Sequence, residues 1–212
     1  MSFKHSNHHP LIIPLMGAPG AKLSGTSLKE NLTDPQIQAK SLIMLYERFK
    51  PDGIFTFMDL TVEAEMLGSE LKFPENLYPF IKEHLIKDIK DLTFLEERVS
   101  DYFGGRMDVF TETVRLLSQK PSTMIGAYTI GPFTLAGELM VVEELCESVL
   151  LEPEFVNRFL KFTTDVIIVY AKALIDAGAD TIMILDPTAS LLSPRVFKRL
   201  REYYDRLCDE LK

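Results

Sequence analysis

Cysteine is scarce in this sequence. Its two residues, Cys146 and Cys208, lie far apart within helix-like segments. That excludes a C-x-x-C motif and a secreted disulfide framework, and fits a reducing, cytoplasmic setting. No apolar run approaches the ~20 residues a bilayer-spanning helix needs. The start, MSFKHSNHHPLIIPLMG, holds only a short apolar run and no small-residue cleavage site, so a soluble, untargeted protein is expected. Positive charge is also in the minority, with 23 Lys and Arg against 31 Asp and Glu and a formal net charge of −8. Like-sign repulsion then works against nonspecific binding to nucleic acid or anionic membrane. Fixed-period repeats, low-complexity tracts and Ser- or Pro-rich linkers are missing, which leaves residues 1–212 as one unit with no internal boundary. Four histidines are present, with His5, His8 and His9 near the start and His84 in a helical middle region. None stands in H-x-C or H-E-x-x-H spacing, so no metal site is expected within this chain.

What is present is a core-sized chain, 212 residues and 46% hydrophobic, with a recurring alternation. Leu11 to Gly17 (LIIPLMG) reads as a first strand leading into the loop APGAKLSGTS. A helix follows from Pro35, with Asp34 as N-cap and Leu42, Leu45, Tyr46 and Phe49 on one face. Gly53 to Asp59 (GIFTFMD) is a second strand, followed at once by a helical turn, TVEAEML. Helical spacing then runs from Phe80 to Gln119, broken at Gly104 and Gly105. Thr123 to Ile130 (TMIGAYTI) is a third strand, left through a GPFTLAG loop. A helix from Pro153 carries Phe155, Val156, Phe159, Leu160, Ile167, Tyr170 and Leu174 on one face and closes at Gly178. Thr181 to Asp186 (TIMILD) is a fourth strand, and Ser193-Pro194 caps a last helix. Four apolar strands, each followed by helix, predict an α/β fold around a parallel sheet buried on both faces.

In such folds polar groups that do chemistry gather where strands leave the sheet, because loops there aim side chains at a shared cavity. Asp59, Asp186 and the Tyr128-Thr129 pair occupy those ends, with Thr134 just beyond. Glu63 is four residues after Asp59 and shares its helix face if the turn starts early. Glu63 and Glu65 are equally accounted for as helix-starting acids favoured by the dipole. Asp186 has a capping alternative, Tyr128 a core alternative, and the GPFTLAG loop a tight-turn alternative in which Thr134 caps the next helix.

Taken in order and spacing, DGIFTFMDLTVEAEMLG, IGAYTIGPFTLAG and AGADTIMILDPTASLLSP resemble the uroporphyrinogen decarboxylase superfamily, and DLTVEAEMLG is closer to its methylcobamide:coenzyme M methyltransferase branch. The resemblance runs from about Leu11 to the C-terminus. It implies a (β/α)8 TIM barrel with the site at the C-terminal strand ends. Asp59 then matches the decarboxylase aspartate that holds substrate pyrrole N–H groups, and Asp186 falls where the family has an acid before a small residue and LSP. Two departures stand out. Glu138 replaces a decarboxylase tyrosine, and the arginine-rich segment that binds substrate carboxylates is replaced by GAPGAKLSGTS with a single Lys22. A substrate with many carboxylates needs guanidinium partners, which argues against tetrapyrrole decarboxylation.

The methyltransferase branch implies a corrinoid carried on a partner protein and a zinc ion that activates a thiol. Its His-x-Cys and distant Cys zinc ligands have no counterpart here. A full barrel takes roughly 250 residues. The expectation is therefore the N-terminal part of a barrel, about four β/α units, either truncated or completed by a second chain. Asp59 and Asp186 are the candidate catalytic residues, with Glu63, Tyr128 and Thr134 around the ligand. The expected activity is methyl transfer from a corrinoid protein to a thiol or similar acceptor. A decarboxylase-like lyase and a noncatalytic half-barrel module are the alternatives.

Overall fold

The computed structural model describes residues 10–75, 77–99, 104–119 and 123–212. His5, His8, His9 and residues 100–103 of the expected helical stretch lie outside them. The centre of the fold is a three-stranded parallel sheet made of β1 (Gly53–Phe55), β4 (Met124–Ile130) and β5 (Thr181–Leu185), in the order β1-β4-β5. Register is fixed by pairs such as Ile54 with Ile125 and Tyr128 with Met183. As the middle strand, β4 is buried from Ile125 onward, whereas β5 is only half-buried along its whole length. Gly126 is required where β4 passes β1, because a Cβ there would sit 2.4 Å from the Phe55 ring. The expected α/β class and parallel sheet are thus present.

Three of the four expected strands pair, and the first does not. Residues 10–16 form no strand, and α1 begins directly at Gly17 (Gly17–Ser24). Leu11 and Ile12 are 50% and 66% exposed, so this run is not the doubly buried strand its composition suggested. Pro14, which has no N–H to offer a ladder, lies inside it. What holds the run is Asp52. The Ile12 N–H donates to its carboxylate at 2.7 Å, and the Asp52 N–H donates back to the Ile12 carbonyl at 2.9 Å.

Helices cover the sheet. After α2 (Leu28–Thr33), α3 (Pro35–Phe49) starts as expected, with the Asp34 carboxylate accepting from the N–H groups of Gln36 and Ile37. Leu42 and Leu45 face the core, whereas Phe49 turns outward with Arg48 over its ring. The short α4 (Val62–Met66) follows β1. The stretch from Phe80 is not continuous helix. Phe80–Ile81 is β3, paired antiparallel with β2 (Leu71–Lys72), and helix resumes as α5 (Ile89–Glu97) and α6 (Met107–Ser118). A proline at position 79 and the Lys82 N–H to Glu70 carbonyl bond fix that hairpin instead.

The GPFTLAG segment is also not a loop. It is α7 (Pro132–Leu139), with Pro132 at its first position where the missing N–H costs nothing. Then come α8 (Val142–Leu151), α9 (Pro153–Asp176) and α10 (Pro194–Glu210). The apolar face read in the sequence of α9 is its buried face, from Phe155 to Leu174. Together these helices bury one continuous apolar core around β4.

Candidate functional site

The end of β1 answers what three acids are doing within seven residues. Asp59 is buried, and both of its carboxylate oxygens are engaged. Its Oδ1 accepts from the Thr61 N–H at 2.8 Å and the Thr61 hydroxyl at 2.7 Å, and its Oδ2 accepts from Arg106 Nη1 at 2.5 Å. Arg106, just before α6, also donates through Nε to Glu65 at 2.7 Å and through Nη2 to the Thr61 hydroxyl at 2.9 Å. Its guanidinium lies over the Phe73 ring, 5.0 Å from the centroid. A planar fork that can reach three oxygens at fixed angles explains why arginine stands here.

Glu63 points elsewhere. Only 1% exposed, it accepts from the Thr129 hydroxyl and the Ile130 N–H, both at 2.8 Å, and so ties α4 to the end of β4. Burial pushes its carboxyl up to about 7, against those two bonds, which pull it down. Glu63 therefore shares no face with Asp59, whereas Glu65 meets Asp59 at Arg106.

Asp186, expected in the same cavity, is placed on the N-terminus of α7. Its Oδ1 accepts from the Thr134 N–H at 2.8 Å and the Thr134 hydroxyl at 2.6 Å, and its Oδ2 accepts from the Tyr204 hydroxyl at 2.7 Å and, more loosely, from the Phe133 N–H. Those first-turn N–H groups have no partner inside the helix, and a carboxylate there is favoured by the helix dipole. Gly131 makes room, since a Cβ on it would lie 2.1 Å from Asp186 Oδ2. Thr134 does not cap the following helix. It is held by Asp186 and accepts from the Thr188 N–H at 3.1 Å. Burial, then the Asp186 charge, pushes the Tyr204 hydroxyl far above its usual range.

A cavity of about 210 Å³ opens where β1 ends, lined by Met58, Asp59, Leu60, Thr61, Tyr78, Pro79, Phe80 and Glu138. The β2–β3 hairpin supplies its aromatic wall, and α7 supplies Glu138. Tyr128 lies buried outside the cavity lining, with its ring 4.9 Å from that of Phe55. Burial, with a smaller effect of Tyr78, pushes its hydroxyl up to about 12. The structure thus brings Asp59 and Glu138 to one cavity and leaves Asp186 out of its lining. A larger hollow of about 740 Å³ lies between the segment after β3 and α8, but no strand-end residue lines it.

Sequence reasoning missed two participants. Arg106 sits 47 positions after Asp59, and the signal was indirect: buried acids following a strand without a nearby base demand a cation from elsewhere. Glu138 was visible as a departure from the decarboxylase pattern. In the structure its side chain forms no hydrogen bond or ion pair among the described residues, while its backbone carbonyl meets His84 Nδ1 at 3.1 Å. Burial and the Asp59 charge push its carboxyl up to about 7.

Cys146 is half-buried on α8, Cys208 is exposed on α10, and among the described residues no group of three or more His, Cys, Asp or Glu is arranged to hold an ion. The described residues do not fit a zinc ion.

This geometry can be set against known proteins. Residues 6–212 match the family described as uroporphyrinogen decarboxylase (URO-D). The chain belongs to the uroporphyrinogen decarboxylase family. Within it, the methylcobamide:CoM methyltransferase MtbA of Methanosarcina acetivorans is 31% identical over 163 residues, covering 73% of this chain and 46% of that protein. MtaA of Methanosarcina barkeri is 28% identical over 180 residues, covering 82% and 52%. The uroporphyrinogen decarboxylase of Aliarcobacter butzleri is 27% identical over 190 residues, covering 84% and 54%. The chain thus spans about half the length of these family members. A solved methyltransferase from Methanosarcina mazei superposes with a TM-score of 0.84 at 23% identity, covering 97% of this chain and 64% of that one. That likeness supports the fold and a partial barrel.

Proposed function

We propose that this chain is part of a corrinoid-dependent methyltransferase that moves a methyl group from a corrinoid on a partner protein to a small thiol or similar acceptor. The likeness to MtbA and MtaA carries the reading. The cavity agrees with it in size, since about 210 Å³ holds a small acceptor but no corrin ring. The corrinoid would therefore approach the mouth of the cavity on its own carrier.

In this reading the roles of the strand-end residues shift. Asp59 orders the cavity floor through Arg106 and Thr61. Glu63 locks α4 to β4, Asp186 anchors α7 and through it Glu138, and Tyr128 packs on Phe55. A second polypeptide segment completing the barrel is the further partner we propose, covering the half-buried β5. No helix among the described residues is long and apolar enough to cross a membrane. The sparse, separated cysteines support a reducing, cytoplasmic setting.

The test is anaerobic mixing of the protein with methylcob(III)alamin and 2-mercaptoethanol, followed by absorbance. Appearance of cob(I)alamin with loss of free thiol supports methyl transfer. Conversion of uroporphyrinogen to coproporphyrinogen by the same preparation, with no change in the cobalamin spectrum, would replace it with the decarboxylase reading.

A further inference from the structure

The helix α8 has two unlike faces. Leu145 and Val149 turn into the core, while Glu144, Glu147 and Leu151 line the hollow of about 740 Å³ between this helix and residues 83–87. At the end of α8, Leu150 and Leu151 stand 68% and 76% exposed. Adjacent exposed leucines beside a hollow offer the apolar centre that a docking surface needs.

Charge around this face is sorted by sign. Residues 143–154 carry Glu143, Glu144, Glu147, Glu152 and Glu154 and no Lys or Arg. Residues 187–200, which run into α10, carry Arg195, Lys198 and Arg199 and no acid. All eight of these residues are exposed. The two blocks touch, since Arg199 Nη2 donates to the Val149 carbonyl at 3.4 Å. Yet no ion pair joins them, and none of the eight has a salt-bridge partner among the described residues. The nearby Arg158 and Arg201, in contrast, are paired with Glu96 and Asp205.

An acidic and a basic block side by side, with apolar side chains at their seam, are self-complementary under a two-fold rotation. The acids of one copy then face the bases of the other at both ends of the contact. A basic segment of an unrelated protein satisfies only the acids and leaves the second block open. With a Debye length of about 8 Å at physiological salt, the net charge of −8 is screened at a distance, while blocks in contact are not.

We propose that α8 and the start of α10 form an isologous interface between two copies of this chain. Leu150 and Leu151 lie near its axis, and the glutamates of each copy stand opposite Arg195, Lys198 and Arg199 of the other. This surface is independent of methyl transfer, and it is separate from the β5 edge, which carries none of these charges.

Sedimentation velocity with exchanged charges tests this. Glu144→Lys with Glu147→Lys gives a chain with two basic blocks, and Arg195→Glu with Lys198→Glu reverses the basic block. Each variant alone should self-associate about tenfold or more weakly than the unchanged protein, the first even though it lowers the net negative charge. A 1:1 mixture of the two should recover association to within about threefold, because unlike blocks again face each other. Lys22→Glu with Lys40→Glu, exposed changes on α1 and α3, should leave association as it is. Far-UV circular dichroism should match the unchanged protein throughout, since every altered position is exposed. An unchanged protein that stays monomeric at about 100 µM would overturn the proposal. So would a mixture that associates no better than its components, or association that survives both charge changes and falls only with Met183→Lys, which assigns the contact to the β5 edge.

Discussion

At the scale of single residues, Arg106 is the hinge of the account. It sits almost wholly buried between Asp59 and Glu65, and its removal strands a buried carboxylate without a partner. Breaking such a pair from one side typically costs about 3–5 kcal/mol. Arg106→Met should lower stability by that order in urea denaturation, and adding Asp59→Asn should recover part of it. Equal loss in the single and double variants would show that the pair is not coupled. Glu63 gives a prediction of a different kind. It binds its proton up to about 7 in the folded chain, against about 4.5 when exposed. Between those values the folded state keeps a proton that the unfolded chain releases, so stability falls as pH rises through the window. The total is on the order of 3 kcal/mol. Glu63→Gln retains the Oε1 that Thr129 and Ile130 donate to, and should flatten that slope in denaturation series from pH 4 to 8.

At the scale of elements, α7 depends on a residue from another strand. Asp186 leaves β5 and satisfies the first turn of α7 across more than fifty residues of chain. Asp186→Ala should cost about 1–3 kcal/mol, and amide exchange should quicken first in residues 132–139. Uniform exchange across the molecule would argue that α7 is held by packing alone. The same elements mark what the sequence disclosed. β1, β4 and β5 were readable because strands of a parallel sheet are short apolar runs ended by polar residues. The face of α9 was readable because its apolar spacing is that of a helix. The LIIPLMG run looked alike but is exposed and followed by α1, because composition does not report whether a neighbouring strand exists to pair with. GPFTLAG reads as a turn in the sequence and folds as α7, because Gly-Pro opens turns and helices alike. Of the site, Asp59 was found at its strand end, but its partner was not, since a contact between positions 59 and 106 leaves no local trace.

At the scale of the whole molecule, β5 pairs with β4 on one side and is half-buried throughout. An open parallel edge of this kind attracts further strands. Sedimentation velocity should therefore show self-association rising with protein concentration, and Met183→Lys on β5 should reduce it. Association unaffected by that change would place the contact elsewhere. The claim on which all the functional statements rest is that the small cavity at the end of β1, and not the larger hollow beside α8, is where the acceptor binds. NMR amide shifts of 15N-labelled protein titrated with 2-mercaptoethanol, a neutral thiol, measure this directly. The account predicts shifts concentrated at Met58 to Thr61, Tyr78 to Phe80 and Glu138. Shifts centred instead on Lys87, Val141 and Glu144, or scattered over the surface, would contradict it.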